Sequence, residues 1–162
     1  MAKTAFITGS EGAIGRALCR VFKGDGYMVI GLDLRGGDSG CDAFIEADLD
    51  RICLDDEYRQ GVLAEIRGHL KGKGLNILVN NAALQVVRRT EDLSPDDFRR
   101  TMNINLTAPF LLVQGLLPEL EKGTVLLCDR FLDSTVAYQG YGSGVDVELI
   151  RAVGRFATRG VV

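Results

Sequence analysis

Metal-ligand chemistry is thinly represented in the chain: one histidine, His69, and four cysteines, Cys19, Cys41, Cys53 and Cys128, with no Cys-x-x-Cys spacing among them. That scatter argues against a zinc site or a disulfide framework and suits a reducing cytoplasm. His69 falls beside an apolar stripe near the carboxyl end of a predicted helix, where a cation is tolerated, and is read as structural or exposed. Long hydrophobic runs are missing as well. No stretch approaches the roughly 18 apolar residues that span a bilayer, and the amino terminus carries no basic and apolar leader, so a soluble, cytoplasmic chain is expected. Nor is there an excess of positive charge: the net charge of -3 at pH 7 speaks against a general nucleic-acid binder. Arg151, Arg155 and Arg159 form a local basic stripe, read as a solvated helix face. A Walker-type phosphate loop is also absent. Gly68 to Gly74 follows a helix instead of a strand, is one residue short before Gly-Lys, and has Gly74 where a magnesium-binding hydroxyl belongs.

What is present fits one globular α/β domain: 162 residues, 46% hydrophobic and 25% charged. The chain is organised around Thr4 to Gly15. Ala5-Phe6-Ile7 is an apolar strand, Thr8-Gly9-Ser10-Glu11 a tight turn, and Gly12-Ala13-Ile14-Gly15 the opening of an amphipathic helix. Glycines there let the backbone approach a ligand, and free N–H groups at the helix start favour an anion, so a pyrophosphate is the expected guest. The helix is predicted from about Ala13 to Lys23, with Ile14, Ala17, Leu18, Val21 and Phe22 inward.

Tyr27 to Leu32 reads as a second strand, and Asp33 stands at its carboxyl end about 20 residues after the turn. A carboxylate there accepts hydrogen bonds from an adenosine ribose and repels the extra phosphate of NADP, so NAD is favoured, an inference tempered by neighbouring Arg35. A loop-capping role for Asp33 is the plainer alternative. Gly36 to Gly40 is predicted as a loop, Ala43 to Ala47 as the third strand, and Asp55 to Leu70 as a helix. Asp48 and Leu49 are placed to meet an adenine edge, with a helix-leading aspartate as the equal alternative. Leu75 to Val79 is the fourth strand, followed by Asn80-Asn81-Ala82-Ala83, which can tie strands together or line a cofactor. Ser94-Pro95-Asp96-Asp97 opens a helix reaching about Leu120. Phe98, Met102, Leu106, Phe110, Val113 and Leu117 are expected inward, with a kink at Pro109 and Asn105 bonded to a loosened carbonyl.

Thr8-Gly9-x-x-x-Ala13-x-Gly15, Asp33, Asp48-Leu49, Asn80-Asn81-Ala82-Ala83 and Met102 to Thr107 together resemble the short-chain dehydrogenase/reductase family over about residues 3–122. Ala13 and Ala83 stand where that family usually has glycine. The resemblance implies an NAD site built from Gly9, Ser10, Glu11, Gly12, Ala13, Ile14 and Gly15 at the pyrophosphate, and Asp33 with Leu34 at the adenosine ribose. It places Asp48 and Leu49 at the adenine, and Asn81, Ala82 and Ala83 near the nicotinamide ribose. It makes Asn105 the asparagine that supports a catalytic water. The family's catalytic serine and Tyr-x-x-x-Lys pair are missing: the fourth residue after Tyr138 is Gly142, and after Tyr141 it is Val145. Residues 124–160, through Cys128-Asp129-Arg130-Phe131 and Asp133 to Gly142, resemble thymidylate kinase instead, which implies phosphate contacts by Asp129 and Arg130.

These patterns predict a single three-layer α/β/α Rossmann-like domain over residues 1–162, with a five-stranded parallel sheet of order 3-2-1-4-5. Residues 1–122 form its dehydrogenase-like part, and residues 123–162 supply a fifth strand at Val125 to Cys128 and a last helix. The leading functional expectation is an engineered chimera that is not an enzyme and keeps a weakened NAD site, with no catalytic residue and no metal. The alternatives are an NAD-dependent oxidoreductase, or nucleotide binding through the kinase-like end. A monomer or weak homodimer is expected, without nucleic-acid or membrane partners.

Overall fold

A computed structural model of the protein describes residues 3–122, 146–149 and 151–152. The chain divides into two compact units, residues 1–127 and 128–162. In the first unit, strand β1 (Thr4–Thr8) leads into helix α1 (Ala13–Gly24), then strand β2 (Met28–Asp33) and strand β3 (Ala43–Glu46). Two consecutive helices, α2 (Leu49–Leu54) and α3 (Asp56–Leu70), precede strand β4 (Ile77–Val79). Helix α4 (Pro95–Met102) runs through a π-helical segment, Asn103–Thr107, into helix α5 (Ala108–Leu120). In the second unit, helical residues occur at 147–149 and 151–152, where the Asp146 carboxylate accepts the N–H groups of Glu148 and Leu149.

The strands are parallel, ordered β3-β2-β1-β4, with Phe6 opposite Ile30 and Leu78, and Leu32 opposite Ile45. The expected five-stranded sheet of order 3-2-1-4-5 is therefore corrected to four strands among the described residues. Val125 to Cys128, to which the fifth strand was assigned, lies outside them.

All five residues of β1 are buried, as a parallel strand covered on both faces requires. Alternation divides them: Ala5 and Ile7 join Cys19 of α1, Val29, Ile77 and Val79 on one face. Phe6 goes to the other, with Ile30, Leu32 and Ile45 against Ile66 and Leu70 of α3 and Leu112 and Leu116 of α5.

The inward faces of two helices differ from expectation. In α1, Gly15 and Cys19 are buried, whereas Ile14 and Val21 are 69% and 58% exposed. In α5, Ala108, Leu112 and Leu116 face the core, while Phe110 and Leu117 are exposed, as are Phe98 and Met102 of α4 and Leu106 of the π-helical segment. Close approach selects the face: Gly115 lies so near Leu63 that an added Cβ would fall 2.6 Å from its Cδ1. The small residues of α5 let it seat against α3, and the bulkier stripe points away. The register also changes before Pro109, because the π-helical segment ends two residues ahead of it. Among the described residues, no helix is long and apolar enough to cross a membrane.

Candidate functional site

Strand order reverses between β1 and β4, since the chain leaves β1 toward β2 on one side and returns at β4 on the other. Such a switch point opens a crevice beyond the carboxyl ends of the strands. A cleft of about 590 Å³ lies there, lined by Gly9, Glu11, Gly12, Ala13, Ile14, Gly15, Asp33, Asn81, Ala82 and Ala83. A neighbouring cleft of about 200 Å³ shares Gly9, Asp33, Ala82 and Ala83 and adds Leu34, Asp48, Leu49, Leu84, Arg100 and Ile104 among its walls. Ser10 lines neither of the two; it is fully buried, and its Oγ has no hydrogen-bond partner among the described residues. Asp129 and Arg130 lie outside the described residues.

The turn between β1 and α1 is held by backbone conformation. Gly9 has φ of 67°, and a Cβ there would come within 2.8 Å of Ala82 Cα. A Cβ on Gly15 would fall against the Gly9 carbonyl and 2.7 Å from Ser10 Cα. Both positions therefore require glycine. Gly12 precedes α1 without a side-chain cap, and no carboxylate occupies the helix's first turn. Its leading N–H groups and dipole face the larger cleft, the arrangement that receives a phosphate.

Asp33 closes the other side. Its Oδ2 accepts the Glu11 N–H at 2.9 Å and its Oδ1 the Leu34 N–H at 2.7 Å, so it organises the loop while lining both clefts. The loop-capping role of Asp33 is thus seen directly. Glu11 adds a second tie: its carboxylate accepts the Ser39 N–H at 3.1 Å and pairs with Arg16 at 3.1 Å. Asp48 Oδ1 accepts the Asp50 N–H at 2.8 Å and so caps α2, the helix-leading role, from the rim of the smaller cleft.

Opposite the turn, Asn81 Nδ2 donates to the carbonyls of Thr8 and Gly9 at 3.0 and 3.1 Å. Thr8 Oγ1 accepts the N–H groups of Asn81 and Ala82, both at 3.1 Å. Asn105 departs from expectation: instead of a carbonyl within its own helix, it reaches Leu84, accepting its N–H and donating to its carbonyl, each at 2.8 Å. Asn105 lies within the π-helical segment. Thr8 and Ile104 stand inside the motifs quoted from the sequence but were given no role of their own, and Arg100 was not named. Thr8 had a readable signal, as the hydroxyl ending β1 before a glycine; Arg100 and Ile104 come near the cleft only through helix packing. Among the described residues, no group of three His, Cys, Asp or Glu side chains could hold a metal ion.

A family model described as short chain dehydrogenase matches residues 3–126. The chain belongs to that family.

The expected resemblance is thereby found, and the family assignment supports a nicotinamide dinucleotide as cofactor; the glycine turn, the uncapped helix start and Asp33 fit such a group. A short chain dehydrogenase/reductase family oxidoreductase from Brucella ovis, solved with partially ordered NAD, is 28% identical at a TM-score of 0.66, covering 76% of this chain and 60% of its own. A short chain dehydrogenase from Leptospira borgpetersenii, solved with bound NAD+, is 25% identical at a TM-score of 0.62, covering 73% and 46%. The second expected likeness is found too. A thymidylate kinase from Trichodesmium erythraeum is 64% identical over 44 residues, 27% of this chain and 20% of that protein. The chain thus spans about one fifth of the length of this curated relative, and 60% and 46% of the lengths of the two dehydrogenases.

These findings overturn the expectation of an engineered scaffold that is not an enzyme. That expectation rested on the missing Tyr-x-x-x-Lys, whereas family membership and neighbours that are oxidoreductases favour the dehydrogenase alternative.

Proposed function

We propose that residues 1–122 carry the cofactor site of an NAD-dependent oxidoreductase of the short-chain dehydrogenase type. One observation supports this above the rest: the larger cleft runs from the Asp33 carboxylate, past the uncapped start of α1, to the Asn81-Ala82-Ala83 wall. In this reading Gly9 to Gly15 hold the pyrophosphate, with Ser10 packing behind the turn. Asp33 and Leu34 take the adenosine ribose, and Asp48 and Leu49 flank the adenine. Asn81, Ala82 and Ala83 line the nicotinamide-ribose side. Asn105 fixes the loop through Leu84 and so keeps that wall in place. Glu11 and Asp33 both present carboxylates near the ribose end, which disfavours the additional phosphate of NADP.

When bound, the nicotinamide supplies a carbon that accepts or gives hydride. The chain's part is to orient that group and exclude water from one of its faces. No Tyr-x-x-x-Lys is present to exchange the accompanying proton, so turnover is expected to run roughly 100- to 10,000-fold below that of a site with a positioned acid.

The test follows cofactor absorbance with NAD or NADH against alcohols and carbonyl compounds. Slow turnover that disappears in Asp33→Ala is expected; no turnover with any substrate, while NAD still binds, would refute the oxidoreductase reading. The 64% identity to a thymidylate kinase over 44 residues favours a second reading, a nucleotide-phosphate contact at Asp129 and Arg130. Stabilisation of the chain by dTMP supports it, and the absence of any shift removes it.

A further inference from the structure

Away from the cleft walls, two thiols far apart in sequence meet. Cys19, on the buried face of α1, and Cys41, in the segment between β2 and β3, have their sulfurs 2.9 Å apart. A covalent S–S bond is about 2.0 Å, so closing the gap needs a sulfur movement of about 0.9 Å. Other groups hold the approach. Lys23 Nζ donates to the Gly40 carbonyl at 2.8 Å and pairs with Asp42 at 3.0 Å, gripping both chain neighbours of Cys41. Asp42 accepts the Val29 N–H through Oδ2 at 2.8 Å, and its own N–H donates to the Val29 carbonyl at 2.9 Å. Beneath the pair, a side chain on Gly31 would put Cβ only 2.6 Å from Cys41 Sγ, so glycine at that position of β2 leaves the sulfur its place. Exposure is asymmetric: Cys19 is fully buried, whereas Cys41 is partly open to solvent.

We propose that Cys19 and Cys41 are a reversible redox modification site, closed to a disulfide by exchange with a small-molecule disulfide and fastening α1 to the segment that follows β2. The Cys41 thiolate, formed by loss of its proton to water, attacks one sulfur of the oxidant. The oxidant's S–S bond breaks and the first thiolate leaves, taking up a proton. Cys19, deprotonated in turn, then attacks the Cys41 sulfur and expels the second thiolate, which is protonated likewise. Two protein thiols are oxidised and one small disulfide is reduced to two thiols. Burial, reinforced by the Cys41 sulfur, pushes the Cys19 thiol up to about 12, so the second step is the slower one and quickens as pH rises.

The test is to incubate the folded chain with oxidised glutathione, alkylate it, and map its peptides without reduction. A Cys19–Cys41 peptide is expected, with titratable thiols in denaturant falling from the four of the sequence to two. The melting temperature is expected to rise by roughly 5–10 °C. The Cys53→Ser/Cys128→Ser variant should still close the bridge, and Cys41→Ser should not. Peptide mapping of the unaltered chain decides the matter even if a variant fails to fold. Four remaining thiols, a mixed disulfide that persists at Cys41, or a bridge between other cysteines would each overturn the proposal.

Discussion

The two walls of the crevice use the same kind of atoms in opposite ways. On the α1 side, the helix begins without a side-chain cap or a first-turn carboxylate, which leaves its leading donors to a ligand. On the β4 side, the polar groups of Asn81, Thr8 and Asn105 are tied into the protein's own backbone at Thr8, Gly9, Ala82 and Leu84. In the proposed reading, one wall is a receptor and the other is a brace. Residue type alone does not separate them; the hydrogen-bond partners do. Changes on the brace should therefore act on stability first, and changes on the receptor on affinity first.

The largest effect is expected where the walls touch. Gly9→Val places a branched side chain at φ of 67° and against Ala82. It should destabilise the chain by roughly 3 kcal/mol and abolish NAD binding, as read by urea denaturation and calorimetry. Asn81→Ala comes next. With the Thr8 and Gly9 carbonyls stripped of their donor, a loss of about 2 kcal/mol is expected. Asn81→Asp should not rescue it, because a carboxylate has no hydrogen to give. If NAD affinity fell in Asn81→Ala at unchanged stability, Asn81 would belong to the receptor and the division between walls would fail.

Asn105→Ala removes both bonds to Leu84 at a more exposed position and should cost about 1 kcal/mol by thermal melting, with a smaller loss of affinity. The smallest effect belongs to Asp42, remote from both walls. Burial raises its carboxyl, but the Val29 N–H and the Lys23 cation outweigh that and hold it below the usual range. A depressed carboxylate contributes stability above its unfolded value, about 3.8, and loses it as pH falls through the folded one. The difference between the unaltered chain and Asp42→Asn, about 0.5 kcal/mol after solvent screening, should hold near neutral pH and vanish in acid.

What could be read from the sequence follows from how locally each feature is determined. The β1–turn–α1 unit was legible because Gly9 and Gly15 are demanded by backbone geometry within a few residues. The start of α4 was legible too: Ser94 Oγ accepts the Asp97 N–H at 3.0 Å, and Pro95 sits in the first turn. The buried face of α5 was not. Apolar periodicity marks which residues share a face, but the close contact with α3 is made at Gly115 against Leu63, and Phe110 is left 60% exposed. The π-helical segment breaks the 3.6-residue phase on which that reading relied. The brace was half legible. Asn81 could be singled out from the sequence, but the bonds of Asn105 to Leu84 cross 21 residues and come from packing alone.

The most direct test is calorimetric titration with NAD and NADP of the unaltered chain and of Asp33→Ala. NAD is expected to bind more tightly than NADP and to lose roughly 10- to 100-fold in affinity when the carboxylate is removed, with the chain still folded. Equal affinity for NAD in the two proteins, or no binding to the unaltered chain, would contradict the assignment of this crevice.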